Sequence, residues 1–187
     1  MEQVKIQLKK TRRASYQIII GPNSSEKIVK FLRKEFPESA CVIITDENVK
    51  KLYGEKLCKE IKKNTQKVFL FSVPAGERSK SQKYKTMIEE KMLKFHIDRH
   101  SVVIALGGGV VGDLAGFIAA TYMRGIPYIQ VPTTLLAMVD SSIGGKTGID
   151  TRQGKNLIGA FWHPRAVFVD LKYLKPLSQK HFINWLV

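Results

Sequence analysis

Two cysteines in 187 residues, Cys41 and Cys58, cannot build a disulfide framework. Cys41 opens an apolar run and reads as a small buried residue, which suits a reducing cytoplasm. No apolar run approaches the roughly 18 residues needed to span a bilayer. The opening Met1-Glu-Gln-Val-Lys-Ile6 offers no apolar core for a secretory signal. These absences exclude a membrane protein and a disulfide-stapled secreted scaffold. Histidine is scarce too. His96, His100, His163 and His181 have no partner at metal-ligand spacing on a recognisable element, so the sequence nominates no metal ligand. Acidic residues number 16 against 31 basic ones, a net charge of +15. Such an excess invites a nucleic-acid reading. The lysines, however, are spread in short pairs such as Lys9-Lys10, Lys50-Lys51 and Lys62-Lys63, without interleaved aromatics. A solvated basic face accounts for them, and its field would draw in a small polyanion. Repeats and low-complexity linkers are missing, and the 44% apolar share is enough for a core.

What is present is concentrated at Ser101-Val-Val-Ile-Ala-Leu-Gly-Gly-Gly-Val-Val-Gly-Asp113. Val102–Leu106 reads as a short buried strand, Gly107-Gly108-Gly109 as a turn, and Val110–Tyr122 as a helix. Glycines let the backbone turn sharply and let an anion approach. The first free N–H groups of the helix, with the positive end of its dipole, would face that anion. Gly107, Gly109 and Gly112 match G-x-G-x-x-G, which carries weight only between a strand and a helix.

Around this corner, strands and helices alternate. Val4–Leu8 and Tyr16–Ile20 form an opening strand pair. A helix over Ser24–Lys34 follows, capped by Ser24 or Ser25. Then come strand Val42–Thr45, helix Asn48–Lys62, strand Lys67–Phe71 and a helix over Ser79–Lys94 capped by Ser79. The glycine unit follows, then strand Tyr128–Val131, a helical Thr133–Ser141 and strand Ala166–Val169. The pattern predicts an α/β fold: a Rossmann-like, mostly parallel sheet with helices on both faces, preceded by the N-terminal strand pair. Residues 142–164 carry five glycines and no clear period. A long irregular loop in a compact domain is commonly functional, and this one holds Lys146, Lys155 and Asn156.

Ligands of open parallel sheets bind at the carboxyl ends of the strands. Those ends deliver Asp46 and Asn48, then Pro74-Ala-Gly-Glu-Arg-Ser-Lys80, then the glycine turn with Asp113, then Pro132-Thr-Thr134. The strand after the glycines ends in Val131-Pro132, not in the acid that ordinarily holds a ribose. Asp46, upstream, is the candidate for that role, or else a helix cap. Gly144-Gly-Lys-Thr147 lacks the first glycine of a P-loop, since Asp140 stands there.

These blocks are similar to a known family. Pro74 to Lys80, Leu106 to Phe117, Tyr122-Met-Arg-Gly125, Gln130 to Gly148 and Gly154-Lys-Asn-Leu-Ile-Gly-Ala-Phe161 together resemble 3-dehydroquinate synthase, from about Asp46 to about Leu171. Other sugar-phosphate cyclases share much of this pattern. Polyol dehydrogenases share the fold and a glycine turn, but not the stretch from Pro132-Thr-Thr to Lys146-Thr-Gly. A non-catalytic nucleotide-binding remnant is a further alternative. The resemblance implies a cytoplasmic enzyme of the shikimate pathway. It uses and regenerates tightly bound NAD while converting 3-deoxy-arabino-heptulosonate 7-phosphate into 3-dehydroquinate and phosphate. It implies Asp46, Asn48, Glu77 and Lys80 on the adenosine side of NAD, and Gly108, Gly109, Val110 and Asp113 around the pyrophosphate. Thr133 and Thr134 would lie near the nicotinamide half, and Lys155 would touch the cofactor. Asp140, Lys146 and Asn156 would contact the phosphorylated sugar acid, with Lys146 near its phosphate. Arg124 would reach that phosphate from the partner subunit of a homodimer, or else be a solvated helix end.

The pattern departs from the family near the end, where Pro176 and Ser178 replace a cofactor-contacting Thr and a Pro. The family's divalent metal, zinc or cobalt, is held by a Glu that would fall just past Val187 and by two histidines of a helical second domain. The expectation is therefore an NAD-binding domain over residues 1–171 and the start of a connection over 172–187. Such a chain would be inactive when isolated.

Overall fold

The computed structural model describes residues 15–63 and 67–175. Six parallel strands form the central sheet: β1 (Gln17–Ile20), β2 (Cys41–Asp46), β3 (Val68–Val73), β4 (Val102–Gly107), β5 (Tyr128–Pro132) and β8 (Ala166–Val169). Their order across the sheet is β1-β8-β5-β4-β2-β3. The helices are α1 (Ser24–Glu35), α2 (Glu47–Val49), α3 (Glu55–Lys62), α4 (Gln82–Lys94) and α5 (Gly109–Thr121). The expected α/β class agrees with this architecture, and the second strand of the expected N-terminal pair, β1, runs parallel to β8 at the sheet edge. The expected strand Val4–Leu8 lies outside the described residues.

The two-residue period of the strands splits the core into two layers. Cys41, Ile43, Ile104 and Ile129 pack with Ile28 and Leu32 of α1 and with Leu57 and Ile61 of α3. Val42, Ile44, Val103 and Ala105 pack with Ile88 and Met92 of α4 and with Leu114 and Ile118 of α5. Both faces of β2, β4, β5 and β8 are therefore covered, which explains why these strands read as continuous apolar runs. Each fully buried Ile contributes on the order of 1.5–3 kcal/mol. No described helix is long and apolar enough to cross a membrane.

Several expected boundaries move, each for a physical reason. Residues 47–62 run as one helical stretch, but Lys50–Gly54 forms a π-turn between α2 and α3. The segment expected to be helical from Thr133 becomes so at Leu135 and passes into a second π-turn at Ala137–Ser141. Neither Ser24 nor Ser25 caps α1. Asn23 holds that place in a left-handed conformation, and the Ser24 N–H donates instead to Asp170 Oδ2 at 3.0 Å. Ser79 does not cap α4. It sits in a 3-10 turn and donates its hydroxyl to Pro74 O at 2.5 Å, while Ser81 precedes the helix. Residues 142–164 are not one irregular loop. Strands β6 (Lys146–Ile149) and β7 (Ile158–Phe161) pair antiparallel as a hairpin laid against α5.

Asp170 is 2% exposed and bonds the amides of Ser24 and Lys172 and the Lys172 ammonium, all at 3.0 Å. Burial alone would raise its pKa. The two amide bonds and the ammonium outweigh burial and hold it below the usual carboxylate range. A depressed folded pKa stabilises the fold above the unfolded value of about 3.9, and this contribution fades as pH falls through the folded value. Asp170→Asn is expected to cost about 1–3 kcal/mol at pH 7. It should also flatten the acid limb of stability below about pH 4. Urea unfolding of parent and variant between pH 2.5 and 7 checks this, and parallel curves would contradict it.

Candidate functional site

Register brings the ends of the strands to one edge. Asp46 pairs with Val73, Thr45 with Leu106, and Gly107 with Pro132. The chain leaves β2 toward β3 on one side and reaches β4 on the other, so the crevice between β2 and β4 lies at a switch point of the sheet. A cavity of about 1050 Å3 opens there. All eleven residues nominated for the cofactor line it: Asp46, Asn48, Glu77, Lys80, Gly108, Gly109, Val110, Asp113, Thr133, Thr134 and Lys155. A second cavity of about 480 Å3 shares Asp113, Ser141 and Asn156 with the first. It is lined by Asp140 and Lys146, so three of the four nominated substrate contacts meet there. Arg124 lines neither cavity. It lies exposed on the turn after α5, at φ 66°.

The floor of the larger cavity is the junction of β4 and α5. The first bond inside α5 runs from the Gly112 N–H to Gly108 O at 3.0 Å, so the preceding amides lack an intrahelical acceptor. The helix therefore starts at Gly109, not Val110, and offers those amides and its positive dipole end to an anion. The glycines are not needed for positive φ, since none of Gly107, Gly108 and Gly109 adopts it. They are needed for closeness. A Cβ on Gly107 would lie 2.6 Å from Val111 Cβ, and one on Gly108 would lie 3.0 Å from Thr134 Cγ2.

At the β2 end, Asp46 accepts from the amides of Asn48 and Val49 at 2.9 and 3.0 Å, both through Oδ1. It is thus a helix cap that uses one oxygen, and the residue also lines the cavity. Lys155 and Glu77 face each other at 3.5 Å across exposed surface, a pair of little energetic weight. Lys80 is different. It is 5% exposed, and its ammonium meets Asp113 Oδ2 and Asn156 Oδ1 where the two cavities adjoin. Burial raises the Asp113 pKa despite that ammonium.

Sequence reading missed the apolar wall made by Leu52, Tyr53 and Tyr173. Tyr53 and Tyr173 pack edge to face with centroids 4.7 Å apart. The π-turn directs Leu52 and Tyr53, and a 3.6-residue period carries no sign of it. Tyr173 fell in the stretch read as a connection.

With this geometry in view, the comparisons with known proteins are specific. Residues 70–184 match the model of the family described as 3-dehydroquinate synthase N-terminal. The chain is 51% identical over 164 residues to a 3-dehydroquinate synthase of Clostridium acetobutylicum, covering 88% of this chain and 46% of that protein. The chain thus spans about half the length of that relative. Two solved structures share the fold. The 2-epi-5-epi-valiolone synthase of Streptomyces hygroscopicus, with NAD+ and Zn2+ bound, superposes at TM-score 0.82 and 30% identity, over 97% of this chain and 50% of that one. A 2-deoxy-scyllo-inosose synthase complexed with carbaglucose-6-phosphate, NAD+ and Co2+ superposes at 0.81 and 27% identity, over 89% and 45%.

Proposed function

The chain belongs to the 3-dehydroquinate synthase family, and on that premise we propose that its larger cavity binds NAD and its smaller one a phosphorylated sugar acid. In this reading residues 1–171 are the nucleotide-binding domain and 172–187 begin a connection. The reaction served is the NAD-dependent conversion of 3-deoxy-arabino-heptulosonate 7-phosphate into 3-dehydroquinate and phosphate. The carrying observation is the lining of one cavity by all eleven residues nominated for the cofactor.

The residues present fit NAD. Asp46 would accept from the adenosine ribose. The α5 amides and the crowded glycines receive the pyrophosphate. Thr133 and Thr134 line the nicotinamide half, and Lys155 steadies the cofactor from the rim. Bound NAD supplies reversible hydride acceptance. The chain's own groups bind and orient: Asp140 takes substrate hydroxyls, Lys146 neutralises the phosphate, and Asn156 hydrogen-bonds the substrate. Arg124, exposed and outside both cavities, serves the phosphate site of a second subunit in a homodimer. Nucleic acid and membrane are not partners in this reading, and the setting is the cytoplasm.

Among the described residues no three His, Cys, Asp or Glu side chains converge as a metal site, so no step is assigned to a metal. The 187-residue polypeptide, assayed alone with NAD and zinc or cobalt, is expected to release no phosphate above background. Calorimetry should nonetheless detect NAD binding with Kd at or below about 1 mM. Absence of NAD binding at millimolar concentration would refute the cofactor reading. Clear turnover would refute the metal argument.

A further inference from the structure

The resemblance assigns Lys80 to the adenosine side of the cofactor, yet its ammonium is engaged elsewhere. It is buried between Asp113 of α5 and Asn156, a residue 76 positions away in the β6–β7 hairpin. An ammonium has three donors and no acceptor, so only the carboxamide oxygen of Asn156 can face it. The amide NH2 of Asn156 must then point away from Lys80. Asn156 also lines the smaller cavity beside Lys146 and Asp140.

Two further features fix this residue from the backbone side. Asn156 stands at φ 59°, a left-handed conformation, and its N–H donates to Asp150 Oδ1 at 2.9 Å. Asp150 in turn donates its N–H to Lys80 O at 2.8 Å and bridges Ser81 in parallel. The main chain and the side chain of Lys80 thus grip the same hairpin end.

We propose that Lys80 is a positioning residue: it holds the Asn156 carboxamide in the one flip state that presents its N–H donors to the smaller cavity. The pocket is thereby set to read an oxygen acceptor of the ligand, such as a hydroxyl, carboxylate or phosphate oxygen. An unrestrained carboxamide would offer donor and acceptor alike and discriminate less. The carboxylate of Asp113 keeps the lysine charged and in place. This inference rests on the substrate reading of the smaller cavity for its consequence, but not for the orientation itself.

Two measurements on the 187-residue chain with saturating NAD separate these points. The first is the 15N–1H spectrum of the Asn156 side-chain amide. Lys80→Met should shift its two proton resonances to the positions of a free carboxamide, and Lys80→Arg should restore them. The second is calorimetry with 3-deoxy-arabino-heptulosonate 7-phosphate. Lys80→Met should bind about tenfold more weakly, as expected for one lost oriented hydrogen bond. The double variant Lys80→Met/Asn156→Ala should be no weaker than Asn156→Ala alone, because the two residues act as one unit.

If Lys80→Met fails to fold through the unpaired Asp113, Lys80→Met/Asp113→Asn removes the stranded charge and gives the same spectral reading. Asn156 resonances unchanged by loss of Lys80 overturn the inference. So do additive losses in the double variant. If the parent binds no sugar phosphate, the substrate reading fails, while the spectrum still decides the orientation.

Discussion

Gly108→Val is expected to weaken NAD binding at least a hundredfold while leaving the fold intact. The backbone at Gly108 has φ −76° and ψ −172°, values open to any residue, so the substitution does not strain the chain. What changes is the floor of the cavity. The new Cβ would already stand 3.0 Å from Thr134 Cγ2 and 3.4 Å from its Oγ1. Two further methyls must then project into the space that the first amides of α5 face. A pyrophosphate held out of reach of those amides loses several charge-assisted bonds at once. A hundredfold corresponds to about 2.8 kcal/mol, which two such bonds account for. The crowding itself costs about 1–3 kcal/mol of stability. Calorimetry with NAD, alongside urea unfolding, separates the two effects. An affinity within threefold of the parent would mean that the glycine corner is only a tight strand-to-helix turn.

The corner was legible because its signal is local. An apolar run, three glycines and an apolar helix occupy adjacent positions, and the buried strands on either side announce a parallel sheet. Parallel register then does the rest, since strands that share a direction must release Asp46, Pro74, Gly108 and Thr133 on one edge. Features set by distant or compensating contacts stayed hidden. The start of α1 is tied by Asp170, 146 residues away, and no helix-start pattern reports that. The π-turns at Lys50–Gly54 and Ala137–Ser141 shift the helix phase without changing composition. The hairpin gave no alternating apolar pattern because glycines sit at its closest approach. A Cβ on Gly159 would fall 2.0 Å from Thr147 O, so this position is occupied by backbone, not by side chains. Lys80 was recognisable as a cation near the cofactor, but its burial depends on partners 33 and 76 residues further on.

Asp46 left two readings open, helix cap or ribose ligand, and the structure places a capping carboxylate at the edge of the larger cavity. Each amide bond lands on Oδ1, from Asn48 at 2.9 Å and Val49 at 3.0 Å, so capping uses one oxygen only. The residue also lines the cavity. The two functions can therefore be removed separately. Asn caps helices about as well as Asp, so Asp46→Asn should unfold like the parent and bind NAD about tenfold more weakly, having lost the charge from its bond to the ribose. Asp46→Ala removes both functions. It should cost about 1 kcal/mol in urea unfolding, the usual price of a lost cap. NAD binding should fall roughly a hundredfold, because the bond to a charged acceptor vanishes and the Asn48 and Val49 amides are no longer held at the cavity edge. Calorimetry and denaturation on the same three proteins decide the matter. A stability loss in Asp46→Ala with NAD affinity unchanged would make Asp46 a cap and nothing more, and would move the adenosine end of the site away from β2.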